Sequence, residues 1–181
     1  VKLSTRRISA ADSNEAARLL KIIGDFERIA DHAVNLLQSA EELHEKKMSL
    51  SKPAVKELGV LTGAVDEILG LSLDAFLKDD YSAAGMVEPL EQVIDGLKEQ
   101  LRTNHILRLQ KEQCSIEAGF VWSDLLTNLE RVSDHCSNIA GCVMDMHEGK
   151  LNLHESLRAV KEDREKFAER FEQYQKKYAV Q

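Results

Sequence analysis

Apolar residues recur every three or four positions along almost the whole chain, a spacing that predicts helices rather than strands. From Asp12 to about Lys47, Leu19, Ile22, Ile23, Phe26, Ile29, Ala33 and Leu37 form one stripe. Asp12 is the expected N-cap, with Glu15 at the capping-box position. The run Met48 to Pro53 breaks the pattern, and Ser51 should cap the next helix with Pro53 in its first turn. That helix, 53–79, carries Leu58, Leu61, Val65, Ile68, Leu69 and Phe76. A third, 82–110, carries Val87, Leu90, Ile94, Leu97 and Leu101, and Pro89 inside it is expected to bend or break it near Gly85. A fourth, 115–147, carries Leu125, Leu126, Leu129, Val132, Ile139 and Val143, with Trp122 read as core. A charged helix over 154–178 keeps a thin stripe of Leu157, Val160, Phe167, Phe171 and Tyr174. Nothing alternates as a strand should. The expected fold is therefore all-α, an antiparallel bundle with short connections.

Two of these helices carry one polar signature: ERIADHAVN at 27–35 and ERVSDHCSN at 130–138, offset by 103 residues. Taking Phe26 as the centre of the buried stripe, a 100° step places Glu27 at about 100°, Asp31 at about 140° and Asn35 at about 180°. Leu129 gives the same angles for Glu130, Asp134 and Asn138, and Leu90 gives them for Glu91 and Asp95. Like charges at i and i+4 repel. Three pairs, Glu27/Asp31, Glu91/Asp95 and Glu130/Asp134, that accept this cost at one angle suggest ridges able to converge on Mg, Mn, Fe or Zn. Around them, Arg28 and Arg131 read as ion-pair partners across helices, and His32 and His135 as polar packing or supporting residues. Each histidine directly follows its Asp and points about 100° away from it, which argues against the Glu-x-x-His arrangement of di-iron bundles.

A formal net charge of −7 argues against nucleic acid or an anionic membrane surface as a direct partner, and free phosphate would meet acidic ridges unless a metal intervened. Cys114, Cys136 and Cys142 form no C-x-x-C pair and fit buried thiols of a reducing compartment. No apolar run reaches the ~20 residues of a bilayer span, so no direct membrane insertion is expected. Neither a nucleophile beside a base nor a glycine-rich phosphate loop is visible, so no enzyme is indicated. Val1 in place of Met suggests a piece of a longer protein.

Two helices of the form D/N-x-E-R-x-x-D-H-x-x-N, beginning at Asp25 and Asn128, with an E-x-x-x-D on the helix before the second, resemble the PhoU family. The segments LRTNHILRLQKEQC and LLTNLERVSDHCSNIA are similar to the cytoplasmic PhoU-like domain at the C-terminus of bacterial sodium/phosphate cotransporters. The resemblance spans about 12–147. It implies two three-helix repeats with metal-binding acidic motifs: residues 1–50 as the third helix of a truncated first repeat, 51–149 as a complete second repeat, and 150–181 as an extra charged helix. The implied metal residues are Glu91, Asp95, Glu130 and Asp134, then Glu27 and Asp31, with Asn35, Asn138, Arg28, Arg131, His32 and His135 in support. The implied function is regulation of phosphate uptake, with the transmembrane transport domain of the same parent chain as partner, on the cytoplasmic side of the plasma membrane. Two other readings stay open: a metal-dependent enzyme on a helical bundle, or a metal-free helical adaptor whose ridges are neutralised by Arg28, Arg102 and Arg131. The apolar stripe of the first helix must be covered by the bundle, by the helix at 154–178 or by another copy, and a homodimer is expected.

Overall fold

The computed structural model describes residues 9–148 and 153–180 and contains, among them, five helices and no strand. They are α1 (Ala10–Glu45), α2 (Lys52–Lys78), α3 (Tyr81–Gln110), α4 (Ile116–Glu148) and α5 (Leu153–Lys177). Residues 149–152, across which the second repeat was expected to pass into the last segment, and the side chains of Leu157 and Val160 lie outside what is described. The capping box of α1 is one turn earlier than expected. Ser9 is the N-cap, and its hydroxyl accepts from the Asp12 N–H at 3.1 Å while Asp12 accepts from the Ser9 N–H. Ser51 caps α2 as its position suggested, with Pro53 in the first turn. Asp79, left-handed at φ 53°, ends α2, and Asp80 caps α3 by accepting from the N–H groups of Ser82 and Ala83. Two residues therefore reverse the chain and set α2 and α3 side by side.

The core lies where α2, α3 and α4 meet, around Leu61, Ile68, Leu90, Ile94, Leu101 and Trp122, all but fully buried. Burying each such side chain is worth roughly 1.5–3 kcal/mol, so this trio of helices is the stable part of the molecule. Cys136 and Cys142 are buried and Cys114 half-buried, all as free thiols.

Pro89 neither breaks α3 nor leaves its neighbour unsatisfied. The helix runs through it from Tyr81 to Gln110. A proline removes the N–H that would bond the carbonyl four residues back, here that of Gly85. The Arg170 guanidinium of α5 donates to that carbonyl at 2.6 Å. Gly85 makes room for it, since a Cβ there would stand 2.9 Å from Arg170 Nη1. Beyond Arg170, Tyr174 and Tyr178 enter the core, and the Tyr178 hydroxyl and Lys177 both bond Glu67 of α2. The thin stripe of α5 thus covers α3 and the edge of α2.

The face that α1 buries keeps Ile22, Phe26 and Ile29 of its apolar stripe but is rotated away from Leu19, Ile23, Ala33 and Leu37. It packs on α4, and Ile22, Asp25 and Ser39 are its buried residues, with Phe26, Ile29, His32 and Leu36 half-buried. Ile23 is 60% exposed and Leu37 58%, and Leu19, Leu20 and Val34 are exposed with them. Among the described residues α5 does not touch α1.

Candidate metal centre

Where α3 and α4 lie side by side, Glu91 and Asp95 stand one turn apart on α3 and face Asp134 of α4. Carboxylate oxygens of these three residues all lie within 4.8 Å of one another. Two oxygens on opposite sides of a Mg, Mn or Ca ion stand about 4–5 Å apart, twice the metal–oxygen distance. The trio therefore has the spacing, and an all-oxygen donor set, that a hard cation needs. Its electrostatics agree. Burial, then the charges of Asp95, Glu88, Asp134 and Glu130, push the Glu91 carboxyl up to about 7. Burial, followed by Glu130 and Asp134, also raises Asp95, against the pull of Lys98. A cation placed among these oxygens would reverse that cost.

Glu130, expected as the fourth ligand, is adjacent but engaged elsewhere. It is buried, and its Oε1 forms an ion pair with Lys98 of α3 at 2.9 Å. Its Oε2 is 3.6 Å from the Arg131 Nε, too long for a hydrogen bond, and has no hydrogen-bond partner. Lys98 lies three residues after Asp95, on the same face of α3, and so reaches the same ridge. Arg131 was expected to pair across helices. Instead it bonds Asp134 of its own helix at 2.9 Å, as i,i+3 neighbours can. Neither Arg28 nor Arg102 makes an ion pair among the described residues, so the ridges are not neutralised in the way the adaptor reading required.

The first copy of the motif is placed differently. Glu27 and Asp31 are exposed, and no described carboxylate cluster includes them. Its histidine and asparagine, however, have definite work. His32 Nδ1 lies 2.8 Å from Asn128 Oδ1, which also accepts from Asn35 Nδ2 at 3.1 Å. In mirror fashion His135 Nδ1 lies 2.9 Å from Asp25 Oδ1, towards which Asn138 Nδ2 donates at 3.4 Å. The two imidazoles stack between these ends, 5.7 Å apart. Asn35 and Asn138 therefore belong to a polar seam joining α1 to α4 and not to the carboxylate ridges. The seam also explains the rotated face of α1, because burying Asp25 and His32 turns Ile23 and Leu37 outward.

Sequence reasoning gave Asp25 and Asn128 no role. The signal was there: Asp25, His32 and Asn35 follow an i, i+7, i+10 spacing, which holds them within about 80° of one another on the helix. A second unforeseen group is the buried Glu57 of α2, which accepts from Arg108 at 2.8 Å and from Asn104 at 3.0 Å at the far end of the bundle. Among the described residues, no helix is long and apolar enough to cross a membrane.

The chain matches the PhoU domain family over residues 1–40 and 60–143. It is 30% identical to the phosphate-specific transport system accessory protein PhoU homolog 1 of Thermotoga maritima over 78% of its own length and 60% of the relative's. The PhoU homolog of Zymomonas mobilis is 29% identical over 82% of this chain and 61% of the relative. That of Pseudomonas aeruginosa is 26% identical over 89% of this chain and 66% of the relative. The chain thus spans about 60% of the length of the first two of these relatives. No solved structure matches it.

Proposed function

This chain belongs to the PhoU domain family, and on that premise we propose that it is a regulatory accessory module of phosphate transport, without catalysis of its own, whose acidic trio holds a metal cation. The observation that carries the metal part is the convergence of Glu91, Asp95 and Asp134 from two helices. The regulatory part is supported by the relatives, which bear the name of accessory proteins of phosphate-specific transport. In this reading 1–50 supplies the third helix of one repeat, 51–149 a whole second repeat, and 150–181 an appended helix. The module sits on the cytoplasmic side of the plasma membrane beside a transmembrane transport domain, and the LRTNHILRLQKEQC segment favours a sodium-coupled parent.

Glu91, Asp95 and Asp134 would be the ligands, and Glu130 could join them only by leaving Lys98. An all-oxygen set favours Mn, Mg or Fe over Zn, which prefers nitrogen and sulfur. The bound cation would supply charge that fixes α3 against α4, the kind of local change a transporter domain can read. The test is manganese titration of the wild-type chain and of Asp95→Asn with Asp134→Asn, followed by thermal unfolding. At about 100 times its dissociation constant the ion should stabilise the wild type by about 2.7 kcal/mol and leave the double variant unchanged. Equal stabilisation of both rejects the site. In cells, the same double variant in the full parent protein should alter phosphate uptake.

The open face of α1, with Leu20 at 70% exposure and Ile23 at 60%, supports a homodimer formed through α1. Sedimentation should show a dimer for the wild type and a monomer for Leu20→Glu with Ile23→Glu. A wild-type monomer at tens of micromolar would remove the second copy from the proposal.

A further inference from the structure

Next to the acidic trio along the α3–α4 contact, towards the connection between the two helices, a cleft of about 490 Å³ is lined by Lys98, Arg102, His105, Trp122 and Ser123, with Ile106 on its apolar side. In a chain of net charge −7 its lining holds no carboxylate and two cations, of which Lys98 is paired with Glu130 and Arg102 is not paired among the described residues. Two of the residues that form it are all but buried and carry ring nitrogens without a partner: His105, 7% exposed, at Nε2, and Trp122, 1% exposed, at Nε1. An indole N–H can only donate. Burial, then the Arg108 guanidinium, hold the His105 ring below its ordinary value, so it is neutral at physiological pH. Its Nδ1 lies 3.9 Å from Cys114 Sγ, and when that thiol donates, the ring proton resides on Nε2. The Trp122 indole therefore offers a donor, and His105 Nε2 a second one in that tautomer. Buried donors of this kind ask for an acceptor, because each costs free energy while unmatched. Gly119 contributes by lacking a side chain, since a Cβ there would stand 2.7 Å from His105 Nε2. At the rim, Arg102 is exposed and makes no ion pair among the described residues, and Ser123 is exposed as well.

We propose that this cleft binds a phosphate-bearing anion, with Arg102 neutralising the charge, the His105, Trp122 and Ser123 donors meeting its oxygens, and Lys98 held at the edge by Glu130. Arg102 supplies the fork that pairs two oxygens at once. The volume is in the range of small-molecule sites and exceeds the needs of one inorganic ion, so an organic phosphate fills it better. This goes beyond the regulatory reading, and its one tie to the acidic ridge is Lys98, which Glu130 already holds.

Trp122 is the chain's single tryptophan, so its emission reports on the cleft directly. The full chain is titrated with inorganic phosphate, with ribose 5-phosphate and, as control, with sodium chloride at matched ionic strength, followed by emission and by calorimetry. A saturable response to ribose 5-phosphate alone identifies an organic ligand, and a response to both identifies the phosphate group itself. Arg102→Ala, an exposed substitution that leaves the core intact, should weaken binding about tenfold or more, the loss of one charge-assisted bond. Gly119→Ala should weaken it as well. Silence in both readouts with both phosphates, a response that sodium chloride reproduces, or an undiminished response in Arg102→Ala each overturns the site.

Discussion

Glu27 and Asp31 on α1 and Glu130 and Asp134 on α4 are the same motif in different surroundings. Around the second pair, α3 brings Glu91, Asp95 and Lys98 into range. The first pair meets solvent. The residue types are identical, so the neighbouring helix makes the difference. An E-x-x-x-D ridge is half a site, and the packing partner decides whether it becomes a cation site or a solvated face. The histidines and asparagines of the two copies behave in the opposite way. They face each other, and each finds its acceptor in the other copy.

The largest effect that sharpens this contrast comes from Lys98. In Lys98→Ala the buried Glu130 loses its cation beside three other carboxylates, which should cost about 3 kcal/mol of unfolding free energy in urea titrations. Arg28→Ala, beside the exposed first copy, should stay within about 0.5 kcal/mol. Similar losses in both variants would mean that the two copies are not electrostatically distinct.

A smaller effect tests the likeness of the two ends of the seam. Asp25 is 7% exposed, and Asp25→Ala strands His135 and Asn138 with little water at hand, for about 1.5 kcal/mol. Asn128→Ala removes the corresponding acceptor at a wetter end, where water replaces it, for about 0.5 kcal/mol. The reverse ranking would place the buried end of the seam at Asn128.

The smallest effect is in pH. The Glu91 carboxyl stands at about 7 in the fold against an ordinary 4.5. Between those values the folded chain holds a proton that the unfolded chain has released. Its contribution is therefore full below about 4.5 and is lost as pH rises towards and through 7. With solvent screening of a carboxyl that is only half-buried, the decline is on the order of 1 kcal/mol. Glu91→Gln should flatten this part of the stability profile. A slope that survives Glu91→Gln would assign it to another group.

Much of the fold was legible because long amphipathic helices announce their period and their caps. The five expected helices fall within two residues of the observed starts, and Ser51 with Pro53 marks α2 as its chemistry requires. What misled were rules applied to one helix at a time. Pro89 reads as a break until Arg170, 81 positions later, supplies the bond that its ring removes. The apolar stripe of α1 reads as its buried face until the seam to α4 rotates the helix, keeping Ile22, Phe26 and Ile29 inside and turning Ile23 and Leu37 out. In the candidate site, the angle beside the core put Glu91, Asp95 and Asp134 on facing ridges, and their carboxylates lie together in the fold. The same angle counted Glu130 as a ligand, because nothing in a helical wheel registers the reach of a lysine from the next helix.

The seam between α1 and α4 has a consequence for how such a sequence can change over time. Each end joins a donor pair in one copy to an oxygen in the other, so the copies are tied across 103 positions like complementary strands, not like duplicated words. A substitution at residue 25 is felt at 135 and 138, and one at residue 128 is felt at 32 and 35. At the buried Asp25 end a change in one copy leaves the other copy's donors stranded, whereas at the wetter Asn128 end water can stand in. The one place where the paired helices differ along the seam, Asp25 against Asn128, keeps the rule, since carboxylate and amide alike present an oxygen to the ring and the amide opposite.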